Sequence, residues 1–284
     1  MTKRFMPLQS LFNSAPLSLP LATLVLGVGL LAPDIGQANE ATPTAANAGG
    51  GERVGVDNGG DFPNSGDVLP SSTYQLEFNY SHSNTGDPSV QSHGIPTLAR
   101  IGLGSDFELR IGGEPITYVG SNSYTSGTGP YSIGGKYSFW SGGKDSYTKP
   151  IAFGIQAQVS LPVGSEAFRG ETYVPSASFN MDFKLPAGAI IAINIIGSAP
   201  LIGDERALSN SNQWSVGFDV GSKATVFAHG LSEFTVGQEG VNHQLGVAFM
   251  GYLNSRSSIF GSTTVGLTDA SPNMLASGGI AVRF

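Results

Sequence analysis

The stretch "MLASGGIAVRF" (Met274–Phe284) separates into two faces when read alternately. Ala276, Gly278, Ile280, Val282 and Phe284 are apolar or small; Ser277, Gly279, Ala281 and Arg283 are small or polar. A period of two marks a β-strand with different surroundings on its two sides. Last residues of soluble domains usually fray, so a strand carried through to Phe284 calls for a partner that holds it in place.

Working back from this strand, the same period recurs. Twelve segments show it from Thr73 onward, beginning with "TYQLEFNY" (Thr73–Tyr80), where Tyr74, Leu76, Phe78 and Tyr80 oppose Thr73, Gln75, Glu77 and Asn79. "FELRIGG" (Phe107–Gly113) sets Phe107, Leu109 and Ile111 against Glu108 and Arg110, and "QWSVGFDV" (Gln213–Val220) sets Trp214, Val216, Phe218 and Val220 against Gln213, Ser215 and Asp219. Two segments break the rule, because Phe227 and Phe260 fall on the polar side. Short connections at Gly104–Asp106, Leu185–Gly188 and Gly221–Lys223 alternate with longer polar ones at 81–93, 117–129, 162–174 and 198–212; the connection at 141–149 is the exception, a turn on the short side that runs to nine residues.

Charge placement decides the environment. Glu77, Arg100, Glu108, Arg110, Lys136, Asp182, Lys184, Asp219 and Arg283 all share the polar face, and the apolar face of these strands carries no charge. A basic side chain at mid-membrane on a lipid-facing surface costs about 2–4 kcal/mol. A slip of one residue would expose several charges at once, so the register is fixed. Strands of this length fit a tilted bilayer crossing. Aromatics collect at strand ends (Tyr74, Tyr80, Phe107, Tyr131, Phe139, Trp140, Phe183, Trp214 and Tyr252), as interface girdles require. A soluble β-sandwich shares the alternation but explains neither the girdles nor the export signal described next. The expectation is an all-β protein, a transmembrane antiparallel barrel of about twelve strands over residues 71–284. Its final strand must close on its first, which gives Phe284 its place at the barrel closure.

The N-terminal part reads differently. Lys3 and Arg4, the apolar "LSLPLATLVLGVGLL" (Leu17–Leu31) and the small residues of "GQA" (Gly36–Ala38) have the layout of a signal peptide over residues 1–38. Residues 39–70 are rich in Gly, Asn and Pro and poor in apolar side chains, the composition of a flexible segment. Such a segment, attached to the first strand of a narrow barrel, either occupies the lumen or its mouth or hangs free in the periplasm.

Composition narrows the function. Only 12 % of residues are charged, the net charge is −7, and cysteine is absent. An acidic chain disfavours nucleic acid, and four scattered histidines offer no metal-ligand spacing; no cofactor is expected. Expected partners are membrane lipids and a small-molecule solute. The terminal Phe284, with apolar residues at alternate positions before it, resembles the assembly signal of bacterial outer-membrane barrels and implies their assembly machinery as a further partner. Glu77, Arg100, Glu108, Arg110, Glu114, Lys136, Asp182 and Asp219 are the candidate lumen or constriction residues. A three-residue turn would set Arg100 opposite Arg110 and diagonal to Glu108.

"IPTLARIGLGSDFELRIGGEPITY" (Ile95–Tyr118) resembles the signature hairpin of the MetA-pathway-of-phenol-degradation family. "SLPVG" (Ser160–Gly164) is similar to its Leu-Pro-x-Gly element, and "YSIGGKYSF" (Tyr131–Phe139) occupies the place of its fourth strand. An aromatic usually stands where this chain has Ile101. The resemblance implies an outer-membrane barrel of a Gram-negative bacterium that admits aromatic or other hydrophobic compounds. Two other functions fit a barrel: lipid hydrolysis and a purely structural, non-conducting role. "YSHSNTG" (Tyr80–Gly86) invites comparison with outer-membrane phospholipases, yet on a strand Ser81 and Ser83 would face away from His82.

Overall fold

The computed structural model describes residues 53–57, 62–86, 90–121, 123–141, 150–185 and 189–284. Residues 1–38, expected as a signal peptide, residues 39–52, most of the 141–149 connection and positions 186–188 of the Leu185–Gly188 turn lie outside the described residues.

The alternating segments form twelve antiparallel strands in one closed sheet. They are β1 (Tyr74–Thr85), β2 (Val90–Gly94 and Thr97–Gly102), β3 (Phe107–Gly113 and Thr117–Gly120), β4 (Tyr124–Gly127 and Tyr131–Ser141), β5 (Pro150–Leu161), β6 (Val174–Lys184), β7 (Ile190–Ser198), β8 (Ser209–Val220), β9 (Ala224–Thr235), β10 (Asn242–Asn254), β11 (Ser257–Gly266) and β12 (Met274–Arg283). Each pairs with the next, and β12 returns to β1 with Leu76 opposite Val282 and Phe78 opposite Ile280. Phe284 is held beyond the last strand residue. Its N–H donates to the Tyr74 carbonyl (2.8 Å), and the Tyr74 N–H donates to the Phe284 carbonyl (3.4 Å).

β2, β3 and β4 each break at one height, at Ile95–Pro96, Glu114–Ile116 and Thr128–Pro130. A proline stands in every break and supplies no ladder donor. Pairing resumes beyond the breaks, so the spans 81–93 and 117–129, expected as long loops, are mostly strand. Gly221 makes the tight β8–β9 turn with φ of +66°, a conformation open to glycine.

The outer surface is apolar. Phe78, Tyr80, Phe107, Tyr137, Phe139, Trp140, Ile155 and Phe249 are all exposed. A bulge between Ser138 and Trp140 turns two successive aromatics outward. Tyr252, expected in a girdle, faces inward and is buried. The reason lies inside the barrel. Phe227, Met250, Tyr252, Phe260 and Ala281 form an apolar patch on the inner wall, and Val54 and Val56 of the N-terminal segment pack on it.

Expected flexibility therefore does not hold for residues 53–57 and 62–70. Arg53, Val54, Val56, Asp57, Asp67, Val68 and Leu69 are buried within the barrel. Segments poor in apolar side chains bury little against themselves, but this one docks on a wall that supplies both the apolar surface and the hydrogen bonds. Arg53 bonds Asp219 and the Ser222 carbonyl beside the β8–β9 turn, and Leu69 bonds Glu108 just above the β2–β3 turn. Both ends of the segment thus lie near the rim that carries the short β2–β3 and β8–β9 turns.

Candidate functional site

Strand alternation sends Glu77 of β1, Arg100 of β2, Glu108 and Arg110 of β3 and Lys136 of β4 into the lumen. The register brings them together, with Arg100 opposite Arg110, Gly102 opposite Glu108, and Glu108 opposite Lys136. All five side chains are almost wholly buried. Two facing guanidiniums persist because carboxylates lie between them. Glu108 takes two hydrogen bonds from Arg100 (2.8 Å each) and one from Arg110 (2.9 Å). Glu77 accepts from Arg100 at 3.2 Å.

The third carboxylate is Asp57, which the sequence reading missed. It pairs with Arg100 (3.2 Å), Arg110 (2.8 Å) and Lys136. Its own N–H donates to Glu77 at 2.8 Å. Three carboxylates thus meet three cations, and the acid at the centre belongs to the N-terminal segment. Removing one member of such a network strands a buried charge, at a cost of about 3–5 kcal/mol.

Further bonds hold the rest of the segment. Ser65 Oγ (2.9 Å) and the Gly66 N–H (2.7 Å) donate to Asp182 of β6. The Asn64 N–H donates to Asn194 Oδ1 (2.6 Å), and Asn194 Nδ2 donates back to the Asn64 carbonyl (2.8 Å). Lys136 also donates to the carbonyls of Ser65 (2.9 Å) and Asp67 (3.1 Å). Arg53 lies 4.5 Å over the Tyr252 ring. Phe62 meets Phe227 edge to face at 4.9 Å. Gly154 of β5 allows the close approach, since a Cβ there would stand 2.4 Å from the Gly66 carbonyl oxygen.

Asp182 and Asp219 accordingly belong to the docking of the segment rather than to the charge cluster. Glu114 sits in the break of β3, apart from the cluster, and lines a cavity of about 340 Å³ in the outer half of the lumen. Asp57, Phe62, Asn64 and Arg110 are among its lining residues, so the segment forms the cavity's floor. The available signal for this arrangement was Phe227 and Phe260, two aromatics on the polar side of their strands. They mark where Val54 and Val56 dock.

The serine–histidine comparison finds no support in the geometry. β1 is uninterrupted from Tyr74 to Thr85, so Ser81 and Ser83 face away from His82. His82 stands opposite His93, with ring centroids 4.6 Å apart, and Tyr80 shares a hydrogen bond with His93 Nδ1 at 2.7 Å.

Comparison with known proteins agrees with this architecture. The family model described as "Putative MetA-pathway of phenol degradation" matches residues 51–284. The COG4313 outer membrane channel from Pseudomonas putida F1 superposes with a TM-score of 0.59 at 11 % identity, covering 78 % of this chain and 99 % of that one. The beta domain of the Bordetella autotransporter BrkA gives a TM-score of 0.49 at 12 % identity, covering 76 % and 100 %. The KdgM porin gives 0.46 at 10 % identity, covering 73 % and 99 %. At 11 % identity the likeness to the COG4313 channel is one of fold: a closed barrel of the outer-membrane type. No curated protein matches the chain in sequence.

Proposed function

From its place in the MetA-pathway-of-phenol-degradation family, to which the chain belongs, we propose that this protein is a passive outer-membrane channel or facilitator for small solutes, closed on its periplasmic side by residues 53–57 and 62–70. The observation that carries the reading is a polar lumen with a cavity of about 340 Å³ above a segment held mainly by hydrogen bonds and ion pairs. Barrels of eight strands are filled by side chains, and those of sixteen to eighteen leave an aqueous pore. A twelve-stranded wall lies between, wide enough to hold a short segment and a small solute. Glu77, Arg100, Glu108, Arg110 and Lys136 form the constriction in this reading, with Asp57 as the removable sixth member. Lipid surrounds the apolar wall, and Phe284 serves the assembly machinery. This reading assigns no role to Ser81, His82 and Ser83, which lack the shared face that a nucleophile and its base need.

Planar-bilayer recording of the full chain beside a variant lacking residues 41–68 tests the reading. The deletion is expected to raise conductance severalfold while the barrel keeps its heat-modifiable migration. Absence of channel events in both proteins would favour the non-conducting structural role.

A further inference from the structure

The cavity above the segment has two unlike walls. On β5 and β6 the register sets Gln156 opposite Ser178 and Gln158 opposite Ser176, a ladder of neutral hydrogen-bonding groups that lines the cavity. Leu98 and Ile196 contribute apolar surface to the same lining. Three atoms of lining residues are buried and have no hydrogen-bond partner among the described residues: Arg110 Nε, Gln156 Oε1 and Ser178 Oγ. Arg110 and Gln156 are themselves more than nine-tenths buried. Buried polar atoms are normally paired, and leaving one unmade costs about 1–3 kcal/mol. Together these atoms offer a donor, an acceptor and a hydroxyl that serves as either.

Charge decides what kind of solute they suit. Arg110, the cation of this lining, already holds Asp57 and Glu108 through Nη1. The six charges of the cluster balance, and Glu114 adds a carboxylate to the lining. An anion entering here gains no free countercharge and meets Glu114. A purely apolar molecule leaves the unpaired groups desolvated and unbonded. A solute with several hydroxyls finds partners along the Gln156, Gln158, Ser176 and Ser178 ladder, reaches Arg110 Nε and Gln156 Oε1 once those side chains turn towards it, and lays its C–H face on Leu98 and Ile196. A volume of about 340 Å³ is at the small end for ligand sites and suits one such molecule.

We propose that this cavity binds an uncharged, hydroxyl-rich solute of monosaccharide size. This rests on the channel reading for its biological sense, but the site stands or falls separately. The solute differs from the aromatic or hydrophobic class that the family resemblance implies.

The test is equilibrium dialysis of the detergent-solubilised full chain, with protein-free micelles as the blank, using glucose, glucuronate, benzoate and phenol as labelled probes. Glucose is expected to bind saturably and more tightly than the other three. The double substitution Gln156→Ala and Ser178→Ala, with folding checked by heat-modifiability, should weaken glucose by about tenfold through loss of two hydrogen bonds. Tighter binding of glucuronate, benzoate or phenol overturns the proposal, as does glucose binding that the double variant leaves unchanged. A single substitution, Gln158→Ala, gives a second reading should the double variant fail to fold, with weaker glucose binding again expected and unchanged binding counting against the site. Uptake of glucose into proteoliposomes is measured alongside. Binding without uptake would sustain the site and sink the channel reading; uptake without saturable binding would do the reverse.

Discussion

Asp57 and Lys136 stand 79 positions apart in the chain, yet their side chains form an ion pair with both removed from water. One partner belongs to the inner segment and the other to the barrel wall. The contact therefore exists only while the segment is seated, and the same carboxylate also holds Arg100 and Arg110.

Replacing Asp57 with Ala should unseat the segment. The change leaves Arg100, Arg110 and Lys136 facing only Glu77 and Glu108, and costs the seated state about 3–5 kcal/mol. Conductance is expected to rise severalfold, with a shift towards anions, because the lumen gains a net positive charge. Planar-bilayer recordings in asymmetric salt measure both effects. Unchanged conductance in a properly folded variant would remove Asp57 as the latch.

Replacing Arg100 and Arg110 with Ala should have the opposite effect on selectivity. Glu77, Glu108 and Asp57 would then face Lys136 alone. Reversal potentials are expected to move towards cations, with conductance increased. A double variant that folds with unaltered selectivity would leave these arginines as scaffold.

The lack of cysteine makes a lock possible. Asn64 and Asn194 exchange two hydrogen bonds, at 2.6 and 2.8 Å, across the gap between segment and wall. The Asn194 side chain thus reaches the Asn64 backbone, which makes a cysteine at each position the pair to cross-link. Oxidation should abolish the remaining conductance, and dithiothreitol should restore it. Conductance indifferent to the redox state, in protein shown by thiol titration to be cross-linked, would mean that solutes pass without movement of the segment.

Deleting Phe284 tests the closure. Two backbone hydrogen bonds to Tyr74 are lost, each worth about 1 kcal/mol. A smaller heat-modifiable fraction and a lower melting temperature are expected. The variant Phe284→Tyr keeps the backbone pairing and should retain most of the folded fraction.

Strand number, register and facing were legible because each strand repeats the same two-residue test against lipid. A charge on the wrong face is expensive, so Glu108, Arg110 and Lys136 announce the direction they point. The pairing of Arg100 with Arg110 followed from a three-residue turn alone. Less was legible where an inner partner replaces water. Tyr252 reads as a girdle residue by type and position, but Arg53 and Thr225 give it an inner place. Asp57 and Leu69 lie in a stretch whose composition resembles solvated linkers. The burial of Asp57 depends on Arg100, Arg110 and Lys136, and that of Leu69 on Glu108, residues distant in the chain that carry no mark pointing back to the segment.

The segment enters and leaves the lumen by the same rim, since Arg53 is anchored beside the β8–β9 turn and Leu69 joins β1 close to the β2–β3 turn. It is a loop folded into the barrel and not a thread passed through it. Withdrawal thus has no topological barrier: the loop can come out, and go back, with every strand of the wall still paired. The same geometry permits the wall to be sealed in the bilayer first and stoppered afterwards. A pull that opens it has to act at that rim, where Arg53 and Leu69 are held.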